Sequence, residues 1–274
     1  INLVPMGYQD ILKVLEKDLA LLNQNQFTHK EEKALFFLKI GEYQKGYKEL
    51  RNNLGDLKPY RLALLKFYKS INRTFLMVHF AHEIYQDISL KTRTRLFYPQ
   101  LFTHLYPLKY QDSIQKAQKI HNSPALLTTA LIRQESRFHE EACSWVGAQG
   151  LMQLMPKTAE PILKSLKKKG LITHSNIYHP DVNILAGTSY VQWLLERVYQ
   201  DYPSPFKEIL SIASYNAGPR RIKNHFENFQ EKNHIPLLIE SIPLAETREY
   251  TKLILLYHEF YLKLYPCFKG ERLF

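Results

Sequence analysis

SPALLTTALIRQESRFHEEACSWVGAQGLMQLMPKT, residues 123–158, is the stretch on which the reading of this chain turns. Its first half has helical spacing. Leu127, Ala130, Leu131 and Phe138 recur along one face, which should be buried. Ser123 offers an N-cap hydroxyl and Pro124 suits the first helical position. Glu135 follows Leu131 by four residues and Ile132 by three, so a helix projects it along the apolar stripe while Arg133 and Arg137 point elsewhere. Desolvation beside aliphatics raises a carboxyl pKa, and a Glu held neutral near working pH is what a general acid requires. The same position suits a Glu that caps or pairs inside a helix bundle, and the residues alone leave both readings open. Past Phe138 the pattern breaks into a loop with Ser144, Trp145, Gly147 and Gly150, before the apolar run LMQLMP whose Pro156 opens another helix. Gln153 interrupts that run. Its amide needs hydrogen-bond partners, and a polar ligand could supply them.

Four segments then stand in order: IRQESRF, GAQGLMQLMPKTA, ASYNAG at Ala213 to Gly218, and IPLAETREYTK at Ile242 to Lys252. Together, at these separations, they resemble the catalytic domain of the soluble lytic transglycosylases, relatives of goose-type lysozyme that cut bacterial peptidoglycan. The resemblance implies an all-α chain, with a helical-repeat, superhelical region over residues 1–106 and a lysozyme-like catalytic domain over 107–274. It implies Glu135 as the acid. Ser144, Gln153 and the backbone around Met155 would line sugar subsites, Tyr215 and Asn216 would stand over the ligand, and Glu246 and Tyr250 would hold Tyr215 and Glu135 in position. From the residues alone, Tyr215 and Asn216 equally suit a tyrosine packed at a helix end and an asparagine terminating it, and Glu246 suits a first-turn carboxylate on the helix dipole. The implied partners are the peptidoglycan glycan strand and other cell-wall enzymes, and the implied place is the bacterial periplasm, with a leader already removed or truncated. No cofactor or metal is expected. Trp145 departs from the smaller residue or proline common in relatives, Ser214 falls at a tolerant position, and Thr251 replaces a common valine.

Composition bounds the alternatives. A chain of 274 residues with 45% hydrophobic residues can bury a substantial core, as one large or two ordinary domains. Its formal net charge of +11 and pI near 9.4 suit a polyanion, either nucleic acid or the carboxylate-bearing wall. The densest basic run, LKSLKKKG at Leu163 to Gly170, reads as a solvated helix end, and without zinc-finger, RNP-like or long basic-helix patterns no nucleic-acid partner is expected. No stretch is apolar enough for a membrane span. Cys143 and Cys267 lack CxxC or CxxH neighbours, which argues against a structural zinc site, and nothing is built on a bond between them.

Outward from the central stretch, residues Gly7 to about Gln100 read as helix pairs punctuated by Gly41, Gly55 and Pro59. Lys33 to Leu50 is similar to a tetratricopeptide-type hairpin. Helices are expected over Tyr60–Asn72 and Thr74–Gln86, with their aromatics packing. Arg95 to Ile114, rich in aromatics and carrying two prolines, reads as the junction, its boundary near Pro107 and its Tyr106 and Tyr110 as anchors. Further helices follow at Gln111–His121, Pro156–Lys169, from an Asp181 N-cap to Val198, from Pro205 to Asn216, and over about Leu244–Tyr265. The acids after Glu135 offer no obvious second catalytic carboxylate. A hydrolytic muramidase would need one, with Asp181 a candidate, and a wall-binding scaffold would need none.

Overall fold

In the computed structural model, residues 61–70, 72–88, 99–227, 229, 234–268, 270, 271 and 273 are described, with scattered positions between 33 and 52. The chain divides into two compact units, Ile1–Leu105 and Tyr106–Phe274. Among the described residues both units are helical, and the only bridges are isolated ones, Cys143 to Gln149 and Gln149 to Leu154. The fold is all-α, as expected.

The first unit holds α1 (Arg61–Ser70), α2 (Thr74–Asp87) and α3 (Pro99–Leu105). Asn72, left-handed at φ 57°, reverses the chain between α1 and α2. The two helices therefore run antiparallel, and Arg61 at the start of α1 meets Glu83 at 3.0 Å and pairs with Asp87 at the end of α2. Tyr68 stacks on Phe80 at 5.5 Å with both rings buried, so these aromatics pack. The tetratricopeptide-like segment Lys33–Leu50 and the helix pairs before Arg61 lie, apart from those scattered positions, outside the described residues.

The second unit runs α4 (Gln111–His121), α5 (Ala125–Ser136), α6 (Pro156–Lys168) and α7 (Pro180–Trp193), which passes into a π-turn at Leu194–Val198. Then follow α8 (Phe206–Ala217), α9 (Pro219–Phe226), α10 (Ile235–Glu240) and α11 (Ala245–Leu264). Gly218 at φ 84° ends α8, and Pro219 opens α9 immediately, because glycine tolerates the left-handed turn and proline suits a helix start. Tyr199, Phe206, Ile209, Leu210, Ile222, Phe226 and Leu238 close one apolar core around α8. α5 packs on α11 and α4 on α7.

α5 is buried more completely than one apolar stripe implies: every residue from Ala125 to Arg133 is inside. A helix enclosed on all sides must satisfy its polar groups locally. Thr129 donates to the Ala125 carbonyl at 2.8 Å, and the Arg133 guanidinium lies over the rings of Tyr106 at 4.2 Å and Tyr257 at 4.0 Å. Tyr106, the first residue of the second unit, is thereby packed within that unit.

Three local expectations are corrected. Ser123 does not cap α5: Pro124 stands at the cap with ψ 126°, and the Leu126 amide donates instead to Glu271 Oε2 at 2.8 Å. Asp181 does not cap α7, since Pro180 takes the first position and His179 the cap; Asp181, one residue further, accepts from the Ser113 hydroxyl of α4. Ser214 is not at a tolerant position, because it is buried with its hydroxyl 2.6 Å from that of Tyr199. The two cysteines are exposed and free.

Glu271 also accepts from Gln118 Nε2 at 3.0 Å, so one carboxylate near the end of the chain ties α4 to the start of α5. Glu271→Ala is expected to cost about 1 kcal/mol, the usual value of a lost cap. For a protein of this size that lowers Tm by roughly 2–4 °C, read by thermal unfolding. An unchanged Tm would show that the bond does not hold the helix.

Candidate active site

Glu135 is the last residue but one of α5, and the chain turns sharply after it. Arg137 and Phe138 both adopt left-handed backbone, at φ 51° and 67°, although neither is glycine. Such conformations persist where surrounding structure over-determines them, and here the Phe138 ring is buried. The turn leaves Glu135 half-buried at the rim of the core.

Two tyrosines from different helices meet it. The Tyr250 hydroxyl, on α11, donates to Glu135 Oε1 at 2.5 Å. Tyr215, at the end of α8, donates to the Met152 carbonyl at 2.8 Å and lies close enough to Glu135 for that carboxylate's charge to raise its own pKa. Burial is the larger cause for both phenols, so both remain protonated donors. Burial also pushes the Glu135 carboxyl up to about 7, against the lowering effect of the Tyr250 bond. The site therefore holds one carboxyl poised to give or take a proton near neutrality.

The opposing forces at Glu135 can be separated. Tyr250→Phe keeps the ring and deletes the bond that favours the charged form, so the Glu135 midpoint should move further above 7. Carboxyl ¹³C NMR titration reads it, and a midpoint that stays or falls would show that Tyr250 does not hold it down.

The loop between α5 and α6 is braced from inside. Ser144 closes its tip, accepting on Oγ from the Ala148 amide at 3.0 Å while its own amide donates to the Ala148 carbonyl at 3.0 Å. Gln153, left-handed at φ 45°, donates from Nε2 to the carbonyls of Ala142 at 3.1 Å and Gly150 at 2.8 Å. The partners its amide needed are thus the loop's own backbone. Met155 is exposed, its carbonyl receiving the Thr158 and Ala159 amides as α6 begins. Asn216 is exposed at the end of α8 and accepts from the Thr247 hydroxyl at 2.6 Å, which fastens α8 to α11. Glu246 is exposed one turn ahead of Tyr250, where a carboxylate complements the dipole of α11.

Sequence reading missed Asn183. It is 0% exposed in α7; its Oδ1 accepts from the Met152 amide at 2.7 Å, and its Nδ2 donates to the carbonyls of Ile177 at 2.8 Å and Gln149 at 3.1 Å. Met152 in turn receives the Tyr215 hydroxyl, so a line of hydrogen bonds runs from the interior of α7 to the ring beside Glu135. Gly150 makes the close approach possible, since at φ 74° a Cβ there would lie 2.2 Å from Asn183 Nδ2. The signal was available: one asparagine inside the apolar helical run VNILAG must find partners.

Residues 112–238 match the family described as the transglycosylase SLT domain. The chain is 36% identical over 165 residues to the soluble lytic murein transglycosylase of Escherichia coli K12, an alignment covering 59% of this chain and 25% of that protein. The chain thus spans about a quarter of that relative's length. Among solved structures, the lytic transglycosylase Slt of Pseudomonas aeruginosa superposes with TM-score 0.68 at 25% identity, covering 92% of this chain and 37% of that one. The 70 kDa soluble lytic transglycosylase of Escherichia coli does so with TM-score 0.65 at 26% identity, covering 88% and 37%. Around Glu135 the chain thus carries a stretch that matches the transglycosylase SLT domain, and over 92% of its length it is similar in fold to a lytic transglycosylase.

Proposed function

We propose that this chain cleaves the β-1,4 bond between N-acetylmuramic acid and N-acetylglucosamine in peptidoglycan without consuming water, with Glu135 as its catalytic residue. The observation that carries this is the half-buried carboxyl of Glu135, raised to about 7 and accepting a hydrogen bond from Tyr250. Protonated Glu135 gives its proton to the bridging oxygen as the muramoyl C1–O bond breaks, and the glucosaminyl hydroxyl leaves. Glu135, now a carboxylate, takes the proton from the muramoyl C6 hydroxyl as that oxygen bonds to C1. The product is a 1,6-anhydro sugar, and the residue returns to its starting form.

Glycosidases that use water need a second carboxylate near the first. Among the described residues, burial and the Tyr250 bond account for the shift at Glu135, with no contribution from another acid. Asp181, the one candidate named from the sequence, is exposed and engaged by Ser113. With no acid among the described residues contributing at Glu135, attack by the substrate's own hydroxyl is the route this reading favours. Tyr215 stands beside the acid to orient the reacting sugar, and Tyr250 fixes the carboxyl. Ser144 and Gln153 shape the loop through which Met152 holds Tyr215, with Met155 at its exposed end; Asn216 and Glu246 flank the two tyrosines. The fitting substrate is the glycan strand of the bacterial wall, and the fitting place is the periplasm.

Mass spectrometry of muropeptides released from purified sacculi tests the proposal. Anhydromuramoyl ends are expected. Reducing ends would mean hydrolysis, and sacculus binding without release would mean a wall-binding scaffold.

A further inference from the structure

Both tryptophans of the chain are exposed, Trp145 at 97% and Trp193 at 45%. Tryptophan is on average among the more buried residues, so an exposed indole in a folded element calls for an explanation. Trp145 sits at the tip of the α5–α6 loop with no ring neighbour among the described contacts, which gives it no link to the site. Trp193 is different. Its indole stacks on the Tyr190 ring at 5.7 Å and 14°, and Tyr190 in turn packs against Tyr215 at 5.4 Å and 52°. Tyr215 is the ring beside Glu135.

A row of three aromatic rings therefore leads from the acid to the surface, and each keeps part of its area open. The row ends where α7 gives way to the π-turn Leu194–Val198. Such turns are frequent at functional sites. Leu194 and Leu195 both turn inward there, so the helix buries its aliphatics and leaves the indole outside. If Trp193 served only to fill space between helices, it would be covered as these leucines are.

We propose that Trp193, seated on Tyr190, is a saccharide-stacking station that takes a pyranose ring of the glycan strand away from the scissile bond. The inference rests on the functional reading above. In a β-1,4-linked 2-acetamido sugar the ring substituents are equatorial, so both faces present C–H groups that pack on an aromatic plane. The hydroxyl and acetamido groups point outward to water. A stacked indole restrains the strand without a hydrogen bond of its own, at little conformational cost because Tyr190 already fixes the ring.

The chain's tryptophan content makes a direct test possible. In a Glu135→Gln background, which binds without turnover, Trp145→Phe leaves Trp193 as the sole tryptophan. Peptide-free murein glycan strands of defined length are the probe. Long strands should shift Trp193 emission to the blue and shield it from iodide. Trp193→Ala should weaken binding of long strands roughly tenfold, as expected for a lost ring contact, and leave the shortest strands unaffected. Strands that bind by calorimetry with Trp193 emission unchanged would overturn the proposal and leave the functional reading intact. Failure of any strand to bind overturns it too, and release of anhydromuropeptides from whole sacculi by the intact chain then tells whether the functional reading falls with it.

Discussion

Glu135→Gln is expected to abolish release of anhydromuropeptides, a loss of at least roughly 10³-fold, while the fold and the binding of glycan strands remain. General acid catalysis by one side chain is commonly worth about 10²–10⁴-fold, and here the same carboxyl both gives the first proton and takes the second. Glutamine keeps the shape and can still accept from Tyr250 but holds no proton to transfer. The pH dependence carries the same signature. The working form is the protonated one, so the rate should fall as pH rises through about 7, the value to which burial lifts this carboxyl. Stability follows with a defined sign. A carboxyl raised from 4.5 to about 7 binds its proton more tightly in the folded chain, so its contribution is full below 4.5 and is lost as pH rises through about 7. Glu135→Gln should therefore raise Tm at pH 8 and change it little at pH 4. A variant that keeps measurable lytic activity, or is no more stable than the intact chain at pH 8, would remove Glu135 from the role assigned to it.

What the sequence made legible is what repeats locally. The apolar spacing of α5, α8 and α11, and the Pro and Gly residues that open and close them, placed those helices within a residue or two. The position of Glu135 one turn beyond Leu131 exposed its unusual setting. Contacts between distant parts were not legible. The cap on α5 comes from Glu271, 145 residues beyond the amide it receives, and no local pattern points there. Ser144 and Gln153 were expected, from the resemblance, to line sugar subsites. Their hydrogen bonds to the backbone of their own loop, from Ala148 to Ser144 Oγ and from Gln153 Nε2 to Ala142 and Gly150, are a further role that no local pattern announces. Ser214 looked permissive as a small residue between Ala213 and Tyr215, yet the buried hydroxyl of Tyr199, its pKa pushed up to about 12 by burial, needs that partner. Small polar residues inside helices announce neither their burial nor their partners.

Asn183 is where this blind spot has its largest consequence. Asn183→Ala would leave the Met152 amide and the carbonyls of Ile177 and Gln149 without their partner in the interior of the second unit. Each buried group left unsatisfied costs about 1–3 kcal/mol, and the space vacated by the side chain adds to that, so a total of roughly 3–5 kcal/mol is expected. For a protein of this size the corresponding fall in Tm is roughly 6–20 °C. The effect should also reach the chemistry. Met152 receives the Tyr215 hydroxyl, and a Met152 no longer held by Asn183 lets that ring drift from Glu135. Below the new Tm, kcat should drop while strand binding at Trp193 persists, which separates lost positioning from lost folding. Asn183→Asp is the sharper comparison. It preserves the acceptor for the Met152 amide but replaces the amide donor with an oxygen facing two carbonyls, so the site must either bury a proton or tolerate repulsion. Its Tm should fall on raising the pH by more than that of the intact chain, whereas that of Asn183→Ala should fall only in parallel with the intact chain, through Glu135. If Asn183→Ala unfolds at the temperature of the intact chain, the asparagine does not tie α7 to the loop, and Tyr215 must be held by its bond to the Met152 carbonyl and its packing against Tyr190 without help from Asn183.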